Sequence, residues 1–148
     1  MDGDDLWIGT YTGGVNVLNT KTGVFRVYTT KAGDPTTLDR SSSYAIFKDR
    51  EARIWVTSMS GVNLYNREED NFTRIRDLGS WIMDIDQDAD GNIWFSSQGN
   101  GLFKYDPDKQ EWTNYVHSSA PGALINDQVN CVLIDGNGEM WIGTMNGL

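Results

Sequence analysis

Residues 88–97 read Asp-Ala-Asp-Gly-Asn-Ile-Trp-Phe-Ser-Ser, and the centre of this string recurs three more times along the chain. The tryptophans at the centre of the four copies are Trp7, Trp55, Trp94 and Trp141. They are spaced by roughly 45 residues, a period typical of architectures in which each repeat is one supersecondary unit. The chain is therefore a repeat protein.

The positions before the tryptophan recur as well. An aspartate lies six residues before it in three copies, as Asp49, Asp88 and Asp135. Three residues before it stand Gly91 and Gly138 in two of these copies, and Ala52 in the other. An aspartate accepts hydrogen bonds from turn amides, and glycine adopts the positive φ that closes a hairpin. We therefore expect a tight turn in each copy, with either a different turn at Ala52 or a gain in stability on Ala52→Gly.

In each repeat, two more strands follow the tryptophan strand. The first is clearest as Gly61-Val-Asn-Leu-Tyr-Asn66 and Gly101-Leu-Phe-Lys-Tyr-Asp106, and the second is an aromatic strand that comes after a polar turn. One unit is thus four short antiparallel strands, named A to D in chain order. A lone four-stranded sheet cannot bury both faces, so the units must stack, and radial stacking of such units makes a β-propeller.

The predicted fold class is all-β, a partial β-propeller of about three four-stranded antiparallel blades. We expect a single incomplete propeller domain over residues 1–148. The predicted blade pieces are 6–28, 41–76, 80–116 and 128–148. The first and last pieces hold fewer than four strands, so apolar sheet faces and strand edges are exposed. Such edges recruit partners, and we expect self-association, with a homodimer favoured over stacking on a neighbour's blade face.

The combined pattern resembles the two-component regulator propeller repeat of bacterial sensors. The resemblance rests on three successive strings: Asp-x-x-Gly-x-Ile-Trp, Gly-Leu-x-x-Tyr-Asp, and Phe or Trp-x-x-Tyr. The chain departs from the family's pattern at Ala52, which replaces glycine, and at Thr57-Ser58 and Ser96-Ser97, which replace Gly-Thr. The resemblance implies the periplasmic sensor region of a hybrid two-component system, many of which respond to oligosaccharides. It also implies that any kinase lies in another part of the parent protein. Residues 1–5 have neither the basic start nor the apolar stretch of a signal peptide, so we expect that, if the natural protein is exported, its signal lies outside this chain.

Composition excludes several classes of partner. The 148 residues carry 12 Lys and Arg against 21 Asp and Glu, a net charge of −9. This charge repels phosphate backbones and anionic lipid, so we expect no nucleic acid and no membrane contact by this segment. Cys131, the only cysteine, lies in the apolar run 129–134 and is predicted to be a small core residue.

The sequence contains no pattern typical of an active site. His117 is the only histidine, no serine lies in a nucleophile-elbow context, and no spacing singles out two facing carboxylates. Asp86, Asp88 and Asp90 begin like a calcium loop, but Ser97 stands where the loop needs its closing Glu. We therefore expect no enzyme, no cofactor and no metal site.

The candidate ligand site lies at one rim of the propeller. In a four-stranded meander the B to C links and the D to A connections emerge at the same rim, and the other turns emerge at the opposite one. Trp81 stands out because it has no equivalent in the other repeats. The candidate ligand-binding residues at this rim are Tyr11, Met59, Trp81, Gln98, Asn100, His117 and Asn146. Their amide and aromatic groups suit a polyhydroxylated ligand or a protein partner.

These observations favour a non-catalytic sensor propeller fragment of a two-component signalling protein. Its expected ligand is a glycan-derived molecule such as an oligosaccharide, sensed outside the cytoplasm. Two alternatives remain open at this point. One is a scaffold propeller that binds a protein through its rim, and the weaker one is a lyase-like propeller, which needs a cluster of acid, base and metal-binding groups on one rim.

Overall fold

The computed structural model describes residues 1–148 and contains thirteen β-strands and no helix. The strands form four antiparallel sheets of three, four, four and two strands. The prediction of an all-β partial propeller with about three four-stranded blades is therefore confirmed. No segment forms a helix that could cross a bilayer. The chain divides into two compact units, Met1–Gly79 and Ser80–Leu148.

The first unit contains the first two blades. Its first blade consists of β1 (Asp5–Gly9), β2 (Val15–Asn19) and β3 (Phe25–Tyr28), and β3 is the edge strand. Its second blade consists of β4 (Ser43–Lys48), β5 (Ile54–Ser58), β6 (Gly61–Asn66) and β7 (Asn71–Asp77), hydrogen-bonded in chain order. Chain-order pairing is what tight turns between short strands produce.

The second unit contains the third blade and a two-stranded sheet. The third blade consists of β8 (Ile82–Gln87), β9 (Ile93–Ser97), β10 (Leu102–Asp106) and β11 (Glu111–Tyr115). The two-stranded sheet pairs β12 (Val129–Ile134) with β13 (Met140–Thr144), which correspond to strands A and B of a blade.

Side chains from facing sheets form the core of each unit. In the first unit, Val15 and Val17 of β2 pack with Ile54 and Val56 of β5, and all four are almost completely buried. In the second unit, Leu102 of the third blade packs with valines of β12. Period-2 alternation along each strand places these residues on one face, and stacking of the sheets removes them from water.

The turn between strands A and B has one conformation in all three complete copies. Ala52, Gly91 and Gly138 have φ values of 62°, 88° and 84°. Each amide donates to the carbonyl of the aspartate three residues earlier. This is a three-residue hairpin loop with a left-handed closing residue. The alternative of a different turn at Ala52 is therefore wrong, and the gain in stability on Ala52→Gly stays a prediction.

Cys131 is exposed, so the prediction that it is a core residue is wrong. The pairing of β12 with β13 shifts between Val129 and Cys131. This irregularity buries Val129 and Val132, which are three residues apart, and leaves Cys131 on the outer side. A bulge inserts one unpaired residue and so breaks the period-2 alternation from which the expectation was drawn.

Candidate functional site

The B to C links and the D to A connections of each unit form a surface that we call the connection rim. In the first unit it comprises the links 10–14 and 59–60 and the connection 29–42. The Ser43 amide donates to the Thr10 carbonyl at 2.9 Å, and the Gly14 amide donates to the Ser41 carbonyl at 2.7 Å. Neighbouring blades are thus tied to each other at this rim by backbone hydrogen bonds.

The candidate Tyr11 lies on this rim and is 64% exposed. Its ring centroid is 6.4 Å from that of Tyr44, with the rings at 79° in an edge-to-face arrangement. Edge-to-face pairs are favourable, and they restrict the orientation of the outer ring. Tyr11 therefore presents a flat apolar surface to solvent in a fixed place. Sequence reasoning did not identify Tyr44, in β4, as the support of Tyr11.

Ser43, the residue before Tyr44, has a buried hydroxyl. Ser43 is 8% exposed, and its Oγ has no hydrogen-bond partner within the protein. A Cβ at Gly9 would come within 2.8 Å of this oxygen, so the glycine leaves room for it. An unpaired buried hydroxyl costs about 1–3 kcal/mol. The rim thus holds a polar atom whose hydrogen-bonding capacity is unused.

Asp39 positions the second link of the first unit. Its carboxylate accepts hydrogen bonds from Asn63 Nδ2 at 2.6 Å, Ser58 Oγ at 2.7 Å and Ser60 Oγ at 2.8 Å. The candidate Met59 lies between the two serines and is half-buried. Sequence reasoning missed Asp39. The available signal was an aspartate in a long connection just before strand A, opposite a link rich in serine.

The connection rim of the second unit holds the other candidates. The Gln98 amide donates to the Trp81 carbonyl at 2.9 Å, and Gln98 also forms an isolated β-bridge with Gln128. The Met145 amide donates to the Gln128 carbonyl at 3.0 Å. Trp81, Gln98 and the link that contains Asn146 are therefore joined on one rim. Trp81 is exposed there, with its backbone tied to Gln98.

His117 and Asn100 lie in segments that Asp127 holds together. The Asp127 side chain accepts from the His117 amide at 2.6 Å, and its carbonyl accepts from the amides of Gly99 and Gly101 on either side of Asn100. The His117 ring bonds the Leu124 carbonyl through Nδ1 at 2.8 Å. Because a carbonyl only accepts, Nδ1 carries the proton, and this side of the imidazole fixes its own loop.

Two of the three carboxylates that begin like a calcium loop, Asp86 and Asp88, are already engaged. Asp88 accepts from the Asn92 amide, from Asn92 Nδ2 and from Trp94 Nε1 at 2.7 Å. Burial raises the pKa of Asp88, but the hydrogen bonds from Trp94 and Asn92 outweigh it and lower that pKa. Asp86 accepts from the Ile134 amide at 2.7 Å. The structure contains no group of three potential ligand residues that could hold a metal ion.

A cavity of about 510 Å³ lies beside Trp94 in the second unit. Trp94 stacks on Tyr115 there, as Trp7 stacks on Tyr28 in the first unit. In the first unit Tyr65 of the next blade also packs on Trp7, with ring centroids 4.8 Å apart. The cavity thus corresponds to a space between blades that aromatic side chains fill in the first unit.

Comparison with known proteins adds two kinds of match. The family model described as two component regulator propeller matches residues 123–146. Among solved structures, the chain is similar to the extracellular domain of a hybrid two-component system from Bacteroides thetaiotaomicron, with 25% identity and a TM-score of 0.79. That match covers 95% of this chain and 19% of the other. No curated protein matches the chain.

Two further structures share the fold at lower identity. One is PorZ, a surface component of the type-IX secretion system of Porphyromonas gingivalis, with 19% identity, a TM-score of 0.74, and coverage of 97% of this chain and 24% of that one. The other is an inactive virginiamycin B lyase from Staphylococcus aureus, with 16% identity, a TM-score of 0.69, and coverage of 99% and 51%.

The chain spans about a fifth of the two-component structure and about half of the lyase. The family match includes β12, β13 and the turn between them. This segment contains Asp135, Gly138 and Trp141, the last copy of the repeated aspartate, glycine and tryptophan. The resemblance inferred from the sequence is confirmed, and this chain is a β-propeller segment whose residues 123–146 match the two-component regulator propeller repeat.

Proposed function

We propose that this propeller segment belongs to a non-catalytic sensor region outside the cytoplasm, in the periplasm, and that it binds a glycan-derived ligand at the connection rim of the first unit. The similarity to the extracellular domain of a hybrid two-component system supports the sensor role and the location. In this proposal the signal passes to a kinase elsewhere in the parent protein.

The observation that carries the proposal is the exposed Tyr11 ring held against Tyr44. A sugar ring has an apolar face of C–H groups, which packs on an aromatic surface, and hydroxyls that need polar partners. Because Tyr11 is already oriented, little entropy is lost when a ligand stacks on it. Hydrogen bonds of Thr10 with Gly13 and Gly14 hold the link 10–14 that carries Tyr11.

The non-catalytic role is supported by what the ionisable rim residues do. Asp39 accepts three side-chain hydrogen bonds from β5, the following link and β6, and Asp127 and His117 bond the segments next to them. A general acid or base needs a free face toward substrate. Asp39, Oδ1 of Asp127 and Nδ1 of His117 instead hold the loops in place, as a binding surface requires.

Titration calorimetry with a panel of oligosaccharides tests this function. At least one oligosaccharide should bind the chain, and Tyr11→Ala should weaken it by about tenfold, since one stacked ring contributes roughly 1.4 kcal/mol. Phe25→Ala is the matched control, because Phe25 is also an exposed ring but lies on the edge strand β3. Failure of every oligosaccharide to bind, or equal effects of the two variants, would contradict the proposal.

A further inference from the structure

A second pocket, of about 260 Å³, lies between the first two blades of the first unit. One wall is formed by Tyr28 and Thr29 at the end of β3. The opposite wall is formed by Asp70, just before β7, and by Phe72 within β7. The loop that carries Lys31 and Thr36 closes the pocket. All of these elements belong to one compact unit, and the pocket is separate from the Tyr11 ring.

The Asp70 carboxylate is the anionic group of this pocket, whose lining also includes Lys31. The hydroxyls of Tyr28 and Tyr65 both donate to Oδ1, each at 2.5 Å. Arg26 lies 3.7 Å from the same oxygen, but it bonds Asp5 more closely, at 2.6 Å. The second oxygen, Oδ2, accepts no hydrogen bond within the protein, and the side chain is 55% exposed. One carboxylate oxygen is therefore held in place, and the other is available to a ligand.

This carboxylate stays charged at neutral pH. The hydrogen bonds from Tyr28 and Tyr65 lower the pKa of Asp70, and they outweigh the opposing effect of burial. Burial in turn raises the pKa of Tyr28, so its hydroxyl remains a donor. The two tyrosines thus orient the negative charge without neutralising it.

The backbone at Asp70 is strained. Its φ is 53°, in the left-handed region, and the same turn position of the first blade is Gly23 with φ 72°. A side chain in this region costs roughly 1 kcal/mol relative to glycine. Gln110 takes this position in the third blade with a φ of 57°, so a left-handed residue closes this turn in all three blades. Aspartate tolerates the left-handed region better than most residues, and the turn places its carboxylate beside the hydroxyls of Tyr28 and Tyr65.

Hydrogen bonds from β7 hold the loop opposite Asp70. Arg74 donates from Nη2 to the Asp34 carbonyl at 2.9 Å and from Nε to the Thr37 carbonyl at 3.0 Å. The Phe72 amide donates to the Thr36 carbonyl at 2.8 Å. The Lys31 ammonium is exposed and lies 4.0 Å from Asp34, so it too can bond a ligand hydroxyl. The pocket therefore needs little reorganisation to accept a small molecule.

We propose that this pocket binds a small hydroxylated primary amine, such as an amino sugar, with its ammonium group on Oδ2 of Asp70. The hydroxyls of the ligand bond Thr29 and Lys31, and its carbon skeleton packs on the edge of Tyr28. The free carboxylate oxygen selects for the cation, because an ammonium group forms a charge-assisted hydrogen bond there and a hydroxyl forms only a neutral one. This site does not depend on the function proposed for Tyr11.

Titration of the whole chain with glucosamine, glucose and N-acetylglucosamine tests the proposal. The three sugars share a ring, and only glucosamine carries an ammonium group. Glucosamine should bind in the millimolar range, about tenfold more tightly than the other two. Amide chemical shifts should change at Asp70 and Thr36. Equal binding of glucose and glucosamine, or no binding of glucosamine up to about 50 mM, would overturn the proposal.

Variants locate the binding. Asp70→Asn keeps an oxygen acceptor for the tyrosines and is tolerated at a positive φ, so it should fold normally and bind glucosamine about tenfold more weakly. Asp108→Asn removes the same charge from the corresponding turn of the third blade and should leave the affinity unchanged. Retention of glucosamine binding in Asp70→Asn, or its loss in Asp108→Asn, would overturn the assignment.

Discussion

The indole N–H of Trp55 donates a 2.8 Å hydrogen bond to Oδ2 of Asp49, six residues earlier. The Asp49 side chain is completely buried and also accepts from the Arg53 amide. Trp94 and Asp88 form the same bond in the third blade, at 2.7 Å. One carboxylate therefore closes the A to B turn and orients the tryptophan that follows it. Trp7 has Met1 six residues earlier, and its buried indole N–H has no partner within the protein.

We expect Asp49→Ala to destabilise the chain by about 2–4 kcal/mol, because it leaves the Trp55 indole and the Arg53 amide without their acceptor. Urea unfolding followed by tryptophan fluorescence measures this loss. Asp108→Ala, in an exposed turn, is the control and should change the free energy of unfolding by less than about 0.5 kcal/mol. Equal losses in the two variants would show that the Asp49 bond to Trp55 has no special role.

Ala52→Gly should stabilise the chain by about 1 kcal/mol, because φ at this position is 62° and glycine adopts it without strain. The reciprocal variant Gly91→Ala should destabilise it by a similar amount. A Cβ at Gly91 would meet no atom within 4 Å, so only backbone strain would contribute. The urea midpoints of both variants test the prediction, and a loss of stability in Ala52→Gly would refute it.

Stability should fall in acid partly because of Asp2. Hydrogen bonds and charge from Arg67, together with Lys48, lower the pKa of Asp2 from 3.8 to about 2. A pKa lowered by folding contributes stability that is fully present above about pH 4 and is lost as the pH falls toward 2. The urea midpoint of Asp2→Asn should therefore change less between pH 4 and pH 2 than that of the unmodified chain. An unchanged pH dependence would contradict this.

Asp39→Ala should loosen the connection rim of the first unit. Ser58, Ser60 and Asn63 would lose a shared acceptor, and we expect a loss of about 1–3 kcal/mol. Hydrogen exchange should speed up at the Ser60 and Gly61 amides, which bond Ser58 Oγ. The Gln98 amide in the other unit serves as the internal reference. Equal protection of Ser60 before and after the substitution would exclude a positioning role for Asp39.

Self-association remains a proposal that light scattering can test. Phe25 and Val27 on β3 and Leu133 and Trp141 on the two-stranded sheet are exposed, and exposed apolar sheet faces favour association. At micromolar concentration the mass should be at least twice the 16.6 kDa of one chain. The double variant Val27→Lys and Leu133→Lys should shift the population toward monomer. A monodisperse monomer of the unmodified chain would refute the proposal.

The repeat pattern was sufficient to predict the blades. Strands such as Ile54–Ser58 and Ile93–Ser97 lie where the aligned tryptophans placed them. These predictions used local signals: a turn aspartate, a glycine three residues later and period-2 alternation. Each signal spans fewer than about ten residues, so it can be read directly from the sequence. Strand order alone predicted that Tyr11 and Trp81 each lie on the connection rim of their own unit.

Tertiary structure decided what depends on contacts between strands and between blades. The bulge in β12 turned Cys131 outward, although the alternation of its neighbours predicted burial. Tyr28 meets Asp70, 42 residues away, only because two sheets stack. Tyr44 reaches Tyr11 for the same reason. Sequence spacing sets which face of a strand a residue occupies, but the register and stacking of neighbouring sheets determine which side chains meet.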